Sequence, residues 1–141
     1  MTSMRTLSPG LRVADLDASL VFYRALGFEV VGTVPETELG RLTMLKLPDD
    51  EFVSIELVAS TSGKQDVDLG NGMSHLAVQV NSMDEAVNAL REHHVAVGEP
   101  SSPDGTAGFL TVTVKDPDGR DIELVQWPPG HAAGLSAEDW Q

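Results

Sequence analysis

Displaced by 67 positions, the chain matches itself without a gap: Ile55-Glu56-Leu57-Val58 falls on Ile122-Glu123-Leu124-Val125. In the same register Val13 meets Val80, Asp17 meets Asp84, Arg24 meets Arg91, Val30 meets Val97 and Asp49 meets Asp116. Leu11 and Leu20 meet Val78 and Val87, so the apolar pattern carries over with the identities. A chain of 141 residues is long enough for one core and too short for two ordinary domains. The repeat therefore limits the fold to two copies of one supersecondary unit sharing a single domain.

Each copy reads as a strand, a helix and three further strands. In the first, residues 9–13 are extended and a helix follows over 17–26, with Leu16, Leu20 and Tyr23 at helical spacing. Phe22 and Tyr23 are packing residues of that helix, and Gly27 stands where a left-handed C-terminal cap is wanted. Strands fit 28–34, 42–47 and 52–58, with Pro48-Asp49-Asp50 turning the last hairpin. In the second copy, 75–80 is extended. Ser82-Met83-Asp84-Glu85 has the form of a capping box that opens a helix to Arg91. Strands fit 95–97, 109–114 and 121–127, with Asp116-Pro117-Asp118-Gly119 as a turn. The expected division is 1–62 for the first module, 63–72 for a linker and 73–128 for the second module. Residues 129–141 form an Ala/Gly/Ser-rich, loosely held tail in which Trp140 could dock.

Strand alternation sends Val53, Ile55 and Leu57 to one face and Ser54, Glu56 and Val58 to the other. Glu123 likewise opposes Ile122 and Leu124, and His75 opposes Leu76 and Val78. With the apolar faces under the helices, Glu56, Glu123 and His75 are left on the opposite side of the sheets. A carboxylate on a closed sheet interior must be paired, hydrated or bound to a cation. Two carboxylates at equivalent positions plus an imidazole suit a divalent metal held by O and N donors. An antiparallel sheet with one wet face accommodates the same residues, so alternation alone leaves both readings open. The repeat adds that positions 8, 56, 75 and 123 are symmetric and would converge on one centre if the copies face each other.

Composition narrows the partners. There is no cysteine, which excludes disulfides, thiolate metal sites and cysteine nucleophiles. Nine Lys and Arg against 22 Asp and Glu give a net charge of −13, which repels phosphate backbones and anionic lipid. No apolar run approaches the roughly 20 residues that span a bilayer, and the first residues lack the apolar segment of a secretion signal. The expectation is a soluble cytoplasmic protein that binds neither nucleic acid nor membrane. His93-His94 close the second helix, where positive charge suits the dipole, and His131 has no role in the tail.

Three stretches resemble the vicinal oxygen chelate superfamily, which includes glyoxalase I, extradiol dioxygenases, fosfomycin-resistance enzymes, methylmalonyl-CoA epimerase and bleomycin-binding proteins. They are Leu11 to Tyr23 running on to Leu26-Gly27-Phe28, Ser74-His75-Leu76-Ala77-Val78, and Asp116 to Leu124. The resemblance covers residues 5–127 and is closest to glyoxalase I-like proteins. It implies an α+β fold of two βαβββ modules whose mixed sheets curl into an open barrel around a divalent ion such as Zn, Ni, Co or Mn. It also implies a homodimer. Of the four glyoxalase I ligand positions, Glu56, His75 and Glu123 match. Ser8 stands where the family has His or Gln, and a hydroxyl is a weak ligand.

By the same resemblance Glu123 is the catalytic carboxylate and Glu56 its symmetric partner. Together they would serve a lyase or isomerase of lactoylglutathione lyase type, working on a small substrate with vicinal oxygens through an enediolate. Glu56 favours the glyoxalase or epimerase branch, while Ser8 argues against the dioxygenase and fosfomycin branches. Arg12 matches an arginine that grips a glutathione carboxylate, a contact that suits a guanidinium. Ser60 and Asn71 depart from the other glutathione positions, where Asn and Arg are usual, and no basic residue lies between Val95 and Val114. These departures point away from glutathione. The competing reading is a metal-free module that sequesters an apolar or aromatic molecule, with Phe109 and Trp127 as stacking surfaces. A dioxygenase with an altered iron site is the third.

Overall fold

The structure is a computed structural model that describes residues 2–131 and 134–140. Its contacts divide the chain into two compact units, Met1–Leu69 and Gly70–Gln141. Both mix few helices with sheet, so the fold is α+β.

In the first unit Pro9 leads into β1 (Gly10–Arg12), and Asp15 caps α1 (Leu16–Ala25) by accepting the Ala18 N–H at 3.2 Å. Gly27, at φ +108°, ends the helix, and its N–H donates to the Arg24 carbonyl. The chain then forms β2 (Glu29–Thr37), β3 (Gly40–Lys46) and β4 (Ile55–Ala59). The sheet runs β1-β4-β3-β2, with β1 and β4 parallel and the other pairs antiparallel. The β2–β3 hairpin closes on Gly40, where a Cβ would lie 2.3 Å from the Ala59 carbonyl oxygen and φ is +123°. No other residue fits there.

The core of this unit joins α1 to the inner face of the sheet. Tyr23 is fully buried and meets Phe22 and Phe28 edge to face, with ring centroids 5.1 and 5.7 Å away. Leu11, Val13, Leu45, Ile55 and Leu57 complete it. At about 25 cal/mol per Å² of apolar surface, each such side chain contributes about 1.5–3 kcal/mol. The buried stripe of α1 is Ser19, Phe22, Tyr23 and Ala25, while Leu16 and Leu20 are only half-buried. The expected stripe was thus correct at Tyr23 and rotated at its first two members.

The second unit repeats the plan with one strand fewer. β5 (Leu76–Gln79) leads to Ser82, whose hydroxyl accepts the Glu85 N–H and caps α2 (Met83–Glu92). β6 (Leu110–Lys115) and β7 (Asp121–Gln126) follow, and the sheet runs β5-β7-β6. The strand expected over 95–97 is not formed. Val95 and Val97 alternate with exposed Ala96 as a strand would, but the Arg91 guanidinium takes the carbonyls of Val97 and Gly98. Pro100, with no N–H to donate, follows. What remains of sheet pairing is an isolated bridge between Ser101 and Thr111. Neither sheet closes into a barrel.

The registers sharpen the repeat. Gly10 pairs with Glu56 in the first unit, and Ala77, 67 positions on, pairs with Glu123 in the second. The hairpin partners do not keep that spacing. Glu56 faces Met44 and Glu123 faces Thr113, because the β6–β7 turn is two residues shorter than the β3–β4 connection. The ungapped match therefore holds for the first and last strands of each unit and fails for the strand between. In the tail, Ala137–Trp140 form one 3₁₀ turn with Trp140 exposed, so the docking considered for it is not seen. Residues 132, 133 and 141 of that tail lie outside the described residues.

Candidate functional site

β7 is built around two fully buried residues, Ile122 and Leu124, which fix the strand's rotation and turn Glu123 to the other face. The turn that feeds it is locked from within. Asp116 accepts the N–H groups of Asp118 and Arg120 on one oxygen, and on the other it holds the Arg120 guanidinium at 2.6 Å. Both side chains of this ion pair are buried. A buried pair held by three such bonds tolerates little movement, so Glu123 starts from a rigid base.

His75 lies two residues before Ala77, the register partner of Glu123, and shares its face. His75 Nε2 lies 3.9 Å from Glu123 Oε1, with both side chains open to solvent. The other ring nitrogen, Nδ1, lies 2.8 Å from the Ser74 hydroxyl oxygen. With the Nδ1 proton donated to Ser74, the Nε2 lone pair is presented to the Glu123 side. That tautomer is the one that binds a cation through Nε2. Ser74 is the outer partner that alternation and repeat could not identify, since only a side-chain rotor makes the bond.

Glu56 holds the matching position on β4. Ile55 and Leu57 are buried on one face, and the half-buried Glu56 is on the other. Gly10 lies alongside it; a Cβ there would come within 3.9 Å of Glu56 Oε2. Ser8, half-buried, and Arg12, exposed, share the face of Gly10 by alternation. The structure thus brings His75 and Glu123 together within one unit, and Ser8, Arg12 and Glu56 onto one sheet face within the other.

The donor chemistry suits a divalent cation. Bonds of about 2.0–2.2 Å from an imidazole nitrogen and a carboxylate oxygen set two ligand atoms of one tetrahedral ion about 3.3–3.6 Å apart, a little less than the 3.9 Å between His75 Nε2 and Glu123 Oε1. Among the described residues no group of three or more His, Asp or Glu side chains stands ready to hold a metal. The pair supplies two donors, and full coordination needs further ones.

Phe109 and Trp127 stack on each other, with ring centroids 5.4 Å apart and planes 29° from parallel. The Trp127 indole N–H donates to Gln79 Oε1 at 2.9 Å. Gln126, which the sequence did not single out, accepts the Met83 N–H at the start of α2 and donates to the Gly108 carbonyl. His93 Nδ1 lies 2.8 Å from the Ala89 carbonyl oxygen at the end of α2. His131 is paired with Asp139 in the tail, at 3.2 Å, a contact with no sequence signal. The carboxyl of Asp139 is held below its usual range, first by the Ser136 N–H.

Comparisons with known proteins identify the family and the fold. A family model described as the Glyoxalase/Bleomycin resistance protein/Dioxygenase superfamily matches residues 5–124. A lactoylglutathione lyase from Salmonella typhimurium is 32% identical over 126 residues, covering 87% of this chain and 93% of that protein. The structure of the trypanothione-dependent glyoxalase I of Leishmania major superposes with a TM-score of 0.70 at 30% identity. That match covers 88% of this chain and 87% of the Leishmania chain. A glyoxalase I variant from Zea mays shares the fold, with a TM-score of 0.74 at 23% identity over 87% of this chain. This chain spans 45% of the maize one. No helix among the described residues is long and apolar enough to cross a membrane.

Proposed function

The chain belongs to the Glyoxalase/Bleomycin resistance protein/Dioxygenase superfamily, and from that premise we propose that it is a glyoxalase I-like, metal-dependent lyase or isomerase. Its substrate is a small molecule with oxygens on adjacent carbons, and its working form is a cytoplasmic homodimer. The observation that carries the reading is the His75–Glu123 pair, whose Nε2 and Oε1 lie 3.9 Å apart, with the His75 ring bonded to Ser74. The curated relatives named lactoylglutathione lyase support it.

Glu56, His75 and Glu123 are the proposed ligands, with water completing the set where Ser8 is a poor donor. A bound divalent ion would act as a Lewis acid toward the two substrate oxygens. Glu123 takes the proton from one substrate carbon and returns it to its neighbour, a general-base role that needs a carboxylate near the substrate on a fixed strand. Glu56 is the second carboxylate, and His75 holds its ring without exchanging a proton. Arg12 is the contact proposed for an anionic part of the substrate.

One observation favours a metal-free binding module instead: Ser8, a weak donor, stands at the fourth ligand position. Protein purified without a histidine tag and analysed for metal separates the two. The catalytic reading expects about one divalent ion per chain and loss of at least about 100-fold in kcat for Glu123→Gln, the scale of a lost general base. A protein without stoichiometric metal, or with Glu123→Gln at full activity, overturns it.

A further inference from the structure

A cleft of about 460 Å³ opens in the second unit at the far end of β5 and β7, bounded by Gln79, Asn81, Ser82, Gly108, Trp127 and Pro129 among others. It is continuous in face with the candidate site. At about 3.3 Å per residue, Gln79 lies about 13 Å along β5 from His75, and Trp127 the same distance along β7 from Glu123. His75, Ala77 and Gln79 share one face, as do Glu123, Val125 and Trp127.

The walls of this cleft are fixed. Trp127 is held by Phe109 stacked on it and by Gln79 at its indole N–H. Gln126 ties β7 to the first N–H of α2 and to the Gly108 carbonyl. Gly108 has φ +82°, and a Cβ there would meet Pro129 Cδ at 3.2 Å, so a larger residue at this wall is strained. A surface held from several sides costs little further ordering when a ligand binds. Among the described residues no Asp, Glu, Lys or Arg lines the cleft, in a chain of net charge −13. The Met83 and Glu85 N–H groups at the start of α2 are already taken by Gln126 and Ser82, so that helix end has lost donors that an anion would use.

We propose that this cleft is a subsite for a flat, uncharged aromatic group bearing an amide, seated against Trp127 within reach of Asn81. This deepens the proposed activity and rests on it in one respect, the assignment of the bound group to the distal end of the substrate. The substrate is then elongated, with its vicinal oxygens at the His75–Glu123 pair and a neutral aromatic end about 13 Å away. A carboxylate-bearing thiol conjugate is excluded from this end by the negative field of the chain and the absence of a cationic wall.

The test needs neither metal nor turnover. In a Trp140→Phe background, the Trp127 indole N–H is followed by NMR while N-benzylacetamide is added, with hippurate as the carboxylated control. The amide is expected to shift the signal saturably, with half-saturation on the order of 1 mM for a ligand of this size, and hippurate to bind at least about tenfold more weakly. Trp127→Leu should weaken the amide about tenfold, read from the Gly108 amide signal, and Trp127→Phe should keep most of the affinity. Absence of saturation, hippurate binding as tightly, or Trp127→Leu binding as well would each overturn the inference. Binding that survives when no isomerase activity is found would separate this subsite from the proposed reaction. Activity without binding sinks the subsite alone.

Discussion

The Ser74 hydroxyl contributes one hydrogen bond, yet it decides which nitrogen of His75 faces Glu123. Without it the ring can flip or exchange tautomers at little cost, since both side chains are open to solvent. Ser74→Ala is therefore expected to weaken divalent-metal affinity about tenfold, the low end for a lost outer partner of a ligating histidine. Ser74→Thr should restore it, and calorimetric titration with Zn²⁺ of the metal-free protein checks both. Unchanged affinity in Ser74→Ala would remove the positioning role. At this scale the sequence disclosed which residues share a face, because Ile55, Leu57, Ile122 and Leu124 must be buried and their neighbours must then turn the other way. It did not disclose Ser74, Gln79 or Gln126 as partners. Their bonds are made by side-chain rotors and leave no period in the chain.

Between elements, Gln126 links β7, α2 and the Gly108 loop. Removing its amide strands the Met83 N–H and the Gly108 carbonyl in part-buried positions. Gln126→Ala should cost about 1–3 kcal/mol in urea unfolding, more than the roughly 1 kcal/mol expected for losing the Ser82 cap in Ser82→Ala. The other helix has a pH-dependent cap. The Ala18 N–H, and after it Lys64, hold the Asp15 carboxyl below its ordinary value of 3.8. A folded pKa below the unfolded one adds stability that is fully present above pH 3.8 and is lost as the pH falls through the folded value. The stability gap between wild type and Asp15→Asn, followed by thermal melts, should thus be constant near neutrality and close below about pH 4. The Ser82 cap was legible as a capping box, whereas the first helix was expected from residue 17 and begins at Leu16, so Asp15 was not singled out as its cap. The missing strand at 95–97 was not legible, since its alternation is that of a strand and only the Arg91 side chain diverts its carbonyls.

For the whole molecule, duplication settles more than any single motif. It makes the Gly10–Glu56 and Ala77–Glu123 registers equivalent and so gives each unit one carboxylate at the same place. Duplication does not settle the edges. β2 is an edge strand of nine residues whose ladder is interrupted by two bulges and by Pro35, yet Val30, Val31 and Val34 stay exposed on it. The bulges and Pro35 disfavour strand pairing there, but the exposed valines invite burial against another chain, which is the physical ground for the proposed homodimer. Opposing it, each copy carries −13, and two like-charged bodies repel over a distance set by the salt. The screening length falls from about 30 Å at 0.01 M to about 8 Å at 0.15 M. Association should therefore tighten as salt rises over that range, the reverse of a complex held by opposite charges. Light scattering behind size exclusion at the two salt concentrations reads this directly. Val31→Glu and Val34→Glu, which put charge on the apolar edge, should shift the population toward monomer at 0.15 M salt. A chain that is monomeric at both concentrations, or a dimer indifferent to salt and to both substitutions, would remove β2 as the contact and leave its exposed valines without a role.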